Sequence, residues 1–136
     1  MVPYIAELSV KDLALVSELR LELCAGLTVL TGETGAGKSM LVDALLAVTG
    51  GRVASGMVRD GADRAHVEAV IAGTRDEDLV LSREIAAGRS PARIDQRTVP
   101  VSSLAEIGAD LVAIHGQGDQ LRLARPAIQR DVLDAF

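Results

Sequence analysis

The sequence predicts one α/β domain, and three kinds of segment support this prediction. Two segments near the start alternate apolar and polar residues, which is the period of a half-buried β-strand. A short apolar run over residues 27–31 has the length and β-branched content of a buried strand. A glycine-rich stretch then leads into a segment with the 3.6-residue period of a helix. Strands that alternate with a helix in this way indicate an α/β fold.

The composition excludes several classes of protein. The chain has 136 residues, of which 49% are hydrophobic, so it can form one core of ordinary size but not two. The formal net charge of −5 argues against a dedicated DNA-binding module. One tyrosine, one phenylalanine and no tryptophan argue against a surface that stacks single-stranded bases. No apolar run reaches the ~18–20 residues of a membrane helix, so no membrane partner is expected.

The first part of the chain contains three predicted strands and a helix. Alternation predicts strands over residues 4–11 and 18–23, and the apolar run predicts a central strand over residues 27–31. Residues 39–49 are predicted to form a helix because their apolar side chains recur on one face, and the glycines at 50–51 are its predicted stop.

The middle of the chain reads as short antiparallel strands. The predicted strands cover residues 67–72, 79–85, 92–94 and 98–99. Asp95 and Gln96 are expected to form the turn between the last two, although this pair is a weaker turn signal than Asn-Gly. The arginines in this region are scattered among acids and are interpreted as surface charge: Arg64, Arg83, Arg89, Arg93 and Arg97.

The last part of the chain contains two predicted helices and one strand. A capping box from Ser103 to Glu106 predicts the start of a short helix. An apolar strand is expected over residues 111–114. Pro126 suits the first turn of a helix over residues 127–136.

Residues 32–39 match the phosphate-loop pattern G-x-x-x-x-G-K-S, between a predicted strand and a predicted helix. Small residues let successive backbone N–H groups point inward, and the helix adds the positive end of its dipole. Lys38 is expected to reach the β- and γ-phosphates and the Ser39 hydroxyl to bind Mg²⁺. The alternative, a glycine-rich turn without a ligand, is disfavoured by the specificity of the pattern. The residues predicted to bind ATP are Gly32, Glu33, Thr34, Gly35, Ala36, Gly37, Lys38, Ser39 and Met40.

The chain lacks a second feature that ATP hydrolysis requires. An apolar strand that ends in an acidic residue must help to position Mg²⁺. Residues 70–72 lead into Gly73 and residues 111–114 lead into His115, so neither run ends in an acid. We therefore expect the catalytic acid to lie on another stretch of chain, and residues 1–136 alone to be inactive.

The phosphate loop and its surroundings resemble RecN, a family of bacterial SMC-like DNA repair ATPases. The similarity covers residues 26–39, 41–45, 58–62, 111–117 and 125–136, and so extends over nearly the whole chain. The resemblance implies a P-loop NTPase fold of the ABC/SMC-type head. It implies that residues 1–136 are the N-terminal half of this head, with a mixed sheet and an antiparallel β-subdomain at about 64–100. The fold would be incomplete without the C-terminal half, which follows a long antiparallel coiled coil in the family.

The resemblance also implies a function and its partners. Two heads would dimerise around ATP as a homodimer, and this would be coupled to DNA engagement in double-strand break repair and recombination. DNA would be bound through the full-length protein, in the bacterial cytoplasm at the nucleoid. Two alternatives stay open: another ABC-type ATPase, such as a transporter or an excision-repair subunit, and a non-catalytic module whose interactions depend on nucleotide.

Gln117 and Arg59 are assigned by resemblance, and His115 is considered beside them. Gln117, in a region at about 115–120, resembles the Q-loop glutamine of ABC-type heads, which contacts Mg²⁺ and senses the γ-phosphate. We therefore assign Lys38 and Gln117 as catalytic. Gln120 could take the place of Gln117 as the Q-loop glutamine, and the alternative for Gln117 is a loop amide that caps its own backbone. His115 as a base is disfavoured, because a lone histidine at a strand end is more often structural. Arg59 resembles the arginine-loop residue of SMC heads, and a solvated surface arginine is an equal alternative.

Overall fold

The computed structural model describes residues 2–33, 36–74 and 76–114, and for Ala36 its backbone alone. In chain order the elements are β1 (Tyr4–Leu13), β2 (Val16–Glu22), α1 (Ala36–Val48), a 3-10 turn (Ser55–Met57), β3 (Arg64–Ala72), β4 (Leu79–Ala86), β5 (Ala92–Ile94), β6 (Arg97–Val99) and α2 (Val101–Leu111). Neither helix in this described part is long and apolar enough to cross a membrane.

The six strands form one sheet in the order β2-β1-β3-β4-β5-β6. Every neighbouring pair is antiparallel, so the expected mixed sheet is not found within the described residues. The strands predicted over residues 64–100 instead continue directly into β1 and β2. The register aligns Leu8, Ala69 and Leu81 across β1, β3 and β4. All three side chains are at most 2% exposed, so this face of the sheet forms the core.

The alternation of each strand separates an apolar face from a polar one. Ser9 lies opposite Glu68, and Glu68 lies opposite Ser82, so polar residues share the second face of the sheet. Helix α1 packs on the apolar face against β1, β3 and β4, and α2 packs against β5. Ala44 of α1 and Leu104 of α2 are completely buried there. The fold is therefore a sheet with two helices on one face.

Helix α1 ends where the sequence predicts. The N–H of Gly51 donates to the carbonyl of Leu46 at 2.7 Å, and the N–H of Gly50 donates to the carbonyl of Ala47 at 3.2 Å. Gly50 has a φ of 82°. This pair of bonds with a left-handed residue is the Schellman motif, for which glycine is preferred because it has no Cβ.

The two helices meet where α1 ends. A Cβ at Gly50 would lie 2.4 Å from the backbone nitrogen of Ala105, and a Cβ at Gly108 would lie 2.6 Å from the carbonyl oxygen of Thr49. Both distances are shorter than real Cβ contacts, so the absence of a side chain at these positions allows the helices to touch.

Two predicted strands are wrong within the described residues. Residues 27–31 take no part in the sheet, and Leu27 is 91% exposed. A strand requires a neighbour to bond its N–H and C=O groups, and no described strand lies beside this segment. Residues 112–114 are also not paired, although Val112 is extended with a φ of −135°.

The predicted capping box is wrong as well. Helix α2 begins at Val101, two residues before Ser103, and no side chain caps its start. The backbone N–H of Ser103 donates to the carbonyl of Pro100 at 3.0 Å, which places Ser103 inside the first turn. Pro100 precedes the helix with a φ of −59°, and its fixed φ favours the start of a helix at this point.

Candidate functional site

The predicted phosphate loop lies at the N-terminal end of α1. Gly32 and Glu33 are exposed before the helix, and Gly37, Lys38 and Ser39 are exposed in its first turns. The first turn carries no acidic residue, so no carboxylate there neutralises the positive end of the helix dipole. Thr34 and Gly35 lie outside the described residues.

The Lys38 side chain folds back onto the loop. Its Nζ donates a hydrogen bond to the carbonyl oxygen of Gly32 at 2.5 Å. The first residue of the motif and its lysine are therefore in direct contact across the loop. This contact places the ammonium group beside the backbone that a phosphate would approach.

The glycines of the loop face open space. A Cβ at Gly32 or at Gly37 would meet no protein atom within 4 Å, and neither residue has a positive φ. Neither packing nor backbone strain within the described residues therefore requires glycine at these positions. The absence of side chains leaves the backbone of the loop accessible.

Met40 differs from the rest of the predicted nucleotide-binding set. Its side chain is 3% exposed and belongs to the core between α1 and the sheet. A contribution of Met40 to phosphate binding would therefore come from its backbone N–H. The side chain itself anchors the first part of α1.

Arg59 lies at a different part of the surface. Its side chain is exposed, and its backbone N–H donates to the carbonyl of Asp12 at 2.8 Å. It lines a shallow pocket of about 420 Å³ to which none of the described loop residues contributes. The other residues that line this pocket are Asp12, Asp60, Gly61, Ala62, Asp63 and Arg64.

The remaining predicted site residues cannot be placed. Gln117, Gln120 and His115 lie outside the described residues, as does the predicted helix over 127–136. Within the described ranges, no three His, Cys, Asp or Glu side chains come together to hold a metal ion. Of the two predicted Mg²⁺ ligands, Ser39 and Gln117, only Ser39 lies within the described residues.

The interpretation of Arg83 as surface charge is wrong. Arg83 is only 7% exposed, and its guanidinium donates to the carbonyl oxygens of Ala47 and Gly51 at the end of α1. Burial lowers the pKa of the guanidinium from its ordinary value. The sequence contains a signal for this position, because Arg83 stands between Leu81 and Ile85 in the inward-facing register of β4.

Two other arginines do lie on the polar face, as predicted. Arg93 and Arg64 donate to the carboxylate of Glu84 at 2.9 and 3.2 Å. The hydrogen bond from Arg93 lowers the pKa of the Glu84 carboxyl despite its partial burial. Surface pairs of this kind contribute little to stability.

Comparison with known sequences identifies relatives of this arrangement. An AAA domain model matches residues 7–121. The DNA repair protein RecN of Bacillus subtilis is 38% identical over 97% of this chain, and RecN of Mycobacterium bovis is 41% identical over the same share. RecN of Streptomyces coelicolor is 40% identical over 93%. The resemblance to RecN is thereby confirmed, and the chain spans about a quarter of the length of these relatives, since it covers 26%, 26% and 25% of them.

Comparison with solved structures confirms the fold class. A structure from a study of ATP-driven dimerisation and DNA-stimulated activation of SMC ATPases superposes with a TM-score of 0.77 at 24% identity, covering 96% of this chain and 98% of that chain. An SMC head bound to the C-winged helix domain of ScpA gives a TM-score of 0.75 at 25% identity, covering 90% of this chain and 47% of that one. The recombination mediator RecF with ATP gives a TM-score of 0.73 at 20% identity, covering 98% of this chain and 39% of that one.

Proposed function

Because the chain belongs to the AAA domain family, we propose that residues 32–40 bind Mg·ATP as part of a RecN-like ATPase head that acts in DNA repair. The observation that carries this proposal is the geometry of the loop. Gly32 and Gly37 are exposed on either side of the start of α1, and the Nζ of Lys38 donates to the carbonyl oxygen of Gly32. Backbone N–H groups and a lysine in this arrangement suit the phosphates of a nucleotide.

Each group of the loop has a definite role in this proposal. The exposed N–H groups bind the α- and β-phosphates, and Lys38 exchanges the Gly32 carbonyl for the oxygens of the β- and γ-phosphates. The open space over Gly32 and Gly37 supports this, because a ligand can approach the backbone there. The exposed Ser39 hydroxyl binds Mg²⁺, which neutralises charge on the phosphates during transfer.

The whole head is proposed to contain further parts. The apolar side chains of Leu27 and Val29 are 91% and 69% exposed directly before the loop, and Val42 of α1 is 40% exposed. Exposed apolar side chains in one part of a chain favour a covering partner. We propose that the C-terminal half of the same head, after a coiled coil, completes the fold around this segment.

The biological role is proposed by analogy with the relatives. The relatives are bacterial DNA repair proteins, and the SMC ATPases of the structural comparison undergo ATP-driven dimerisation and DNA-stimulated activation. By analogy, two complete heads would dimerise around ATP and engage DNA in the bacterial cytoplasm, in recombination and double-strand break repair. Arg59 would act near nucleotide or DNA in that assembly.

Residues 1–136 alone are expected to bind nucleotide weakly and to show no turnover. The catalytic acid and the signature motif would be missing, and the loss of one electrostatic stabiliser typically costs ~2.7–4 kcal/mol of activation free energy. ATPase assays of the purified segment, with and without the C-terminal half, measure this. Robust hydrolysis by residues 1–136 that Lys38→Ala abolishes would contradict the proposal.

Gln117→Ala is expected to separate binding from turnover in the full-length protein, which would contain both halves of the head. The side chain would contact metal and water and not the phosphate-binding backbone, so ATP binding should be largely kept while hydrolysis is lost. Equilibrium binding and ATPase assays of Gln117→Ala beside Lys38→Ala measure the difference, and Gln120→Ala tests the substitute glutamine in the same assays. An equal loss of binding in the Gln117 and Lys38 variants would contradict this division of roles.

A further inference from the structure

Arg83 is a charged side chain on the apolar face of the sheet. Its Nη1 donates to the carbonyl oxygens of Gly51 and Ala47 at 2.6 and 3.2 Å. Its Nε donates to the hydroxyl of Ser90 at 3.0 Å, and this hydroxyl donates to the carbonyl of Glu84 at 2.7 Å. All of these acceptors are neutral. The guanidinium is therefore held by the backbone at the end of α1 and by a serine beside its own strand.

A buried charge at this position is costly unless its donors are bonded. Apolar residues occupy the neighbouring inward positions, Leu81 and Ile85. The carbonyl of Ala47 lies in the last turn of α1, at the negative end of the helix dipole, where a cation is favourable, and Gly51 follows shortly after the helix. The side chain thus joins β4 to the C-terminal end of the helix whose N-terminal end carries Lys38.

Apolar packing alone would leave α1 less precisely placed. Contacts of Ala44, Ala47 and Val48 with the sheet are non-directional, so they resist separation more than rotation or sliding along the axis. Hydrogen bonds to Ala47, in the last turn of α1, and to Gly51, shortly after it, are directional and restrict both rotation and sliding. Because a helix of 13 residues is rigid over its length of about 20 Å, a shift at one end moves the other.

We propose that Arg83 is a positioning residue for nucleotide binding, because its guanidinium fixes the end of α1 to β4 and thereby holds Lys38 and the phosphate loop in the binding geometry. This inference rests on the proposed function of the loop. It differs from a purely structural role in one measurable way. A structural role lowers the stability of the protein, whereas a positioning role also lowers the nucleotide affinity of the folded protein.

The test compares four variants of the protein, all studied below their melting temperatures. Arg83→Met removes the donors, and Arg83→Lys keeps the charge but loses the planar fork. Ser90→Ala removes the acceptor of Nε, together with the hydrogen bond from Ser90 to Glu84, and leaves the bonds of Nη1 in place. Arg93→Met is the control because Arg93 lies on the polar face and pairs with Glu84. Isothermal titration with Mg·ATP measures the Kd, and hydrogen–deuterium exchange measures the opening of α1.

Arg83→Met is expected to raise the Kd roughly tenfold and to speed exchange in α1, with a smaller effect for Arg83→Lys and none for Arg93→Met. A folded Arg83→Met protein with the wild-type Kd would overturn the proposal. If Arg83→Met does not fold, wild-type Kd values for both Arg83→Lys and Ser90→Ala would overturn it.

Lys38→Ala, titrated in the same series, distinguishes a failure of the function proposed for the loop from a failure of the positioning role of Arg83 alone. If Lys38→Ala binds Mg·ATP as the wild type does, the function proposed for the loop fails, and the positioning role fails with it. If Lys38→Ala loses binding while Arg83→Met keeps it, the loop assignment stands and the positioning role alone is wrong.

Discussion

Lys38→Ala is expected to raise the Kd of the protein for Mg·ATP by roughly 10- to 100-fold, the value of a lost hydrogen bond to a charged group. The Nζ of Lys38 lies on the carbonyl of Gly32, at the loop that would receive the phosphates. Alanine removes the only side-chain cation described in the loop. Lys38→Arg should weaken binding nearly as much, because a planar guanidinium is wider than an ammonium group. Isothermal titration of each variant measures the effect.

The chain supplies a matched control for this experiment. Lys11 is the only other lysine, and it is exposed on the polar face of β1 opposite Glu18 and His66. Lys11→Ala changes the net charge by the same amount but leaves the loop intact, so its Kd should equal that of the wild type. Near-normal affinity of Lys38→Ala, or an equal loss in both variants, would remove the basis for the phosphate-loop assignment.

Gly108→Ala is expected to lower the free energy of unfolding by about 1–3 kcal/mol, as overpacking does. The new Cβ would lie 2.6 Å from the carbonyl oxygen of Thr49 and 2.7 Å from its Cβ, so the end of α1 or the axis of α2 must move. Helix propensity alone predicts the opposite sign, since alanine is more favourable than glycine in a helix by about 1 kcal/mol. The sign of the change therefore decides whether the helix contact is real.

Urea denaturation of the variants measures this difference. Gly56→Ala is the control, because a Cβ at Gly56 would meet nothing within 4 Å and the residue has no positive φ. Its stability should stay within about 0.5 kcal/mol of the wild type, which is typical of surface substitutions. A stabilised Gly108→Ala protein would show that α1 and α2 do not touch there.

Local patterns predicted much of the sheet. The hairpin from β5 to β6 forms where it was expected, and Asp95 and Gln96 have φ values of 47° and 67°. Two left-handed residues in succession match the right-handed twist of a two-residue hairpin, so even a weak turn pair can adopt this geometry. The end of α1 was also predictable from local sequence, because glycine is preferred where a helix ends in a left-handed residue, and Gly50 has a positive φ.

Features that depend on distant chain segments were not predictable in this way. Residues 27–31 have the composition of a buried strand, but a strand forms only beside a partner, and no described strand pairs with them. The role of Arg83 depends on carbonyls more than thirty residues earlier in the chain, since it bonds Ala47 and Gly51 at separations of 36 and 32. Its inward register in β4 was visible in the sequence, but its partners were not.

In the candidate site, too, local sequence predicted some features and the folded structure determined others. The motif at residues 32–39 identifies the loop from local sequence alone, and the structure adds the contact between Lys38 and Gly32. The predicted role of Met40 in phosphate binding is limited to its backbone N–H, because its side chain is buried in the core. The roles of Gln117 and Arg59 stay predictions.

A structure of the protein with Mg²⁺ and a non-hydrolysable ATP analogue tests the central claim most directly. The account predicts that the phosphates lie against the backbone N–H groups of residues 32–39. It also predicts that the Nζ of Lys38 leaves the carbonyl of Gly32 for the β- and γ-phosphates, and that the Ser39 hydroxyl contacts the metal. A nucleotide bound elsewhere, with Lys38 still on the carbonyl of Gly32, would contradict it.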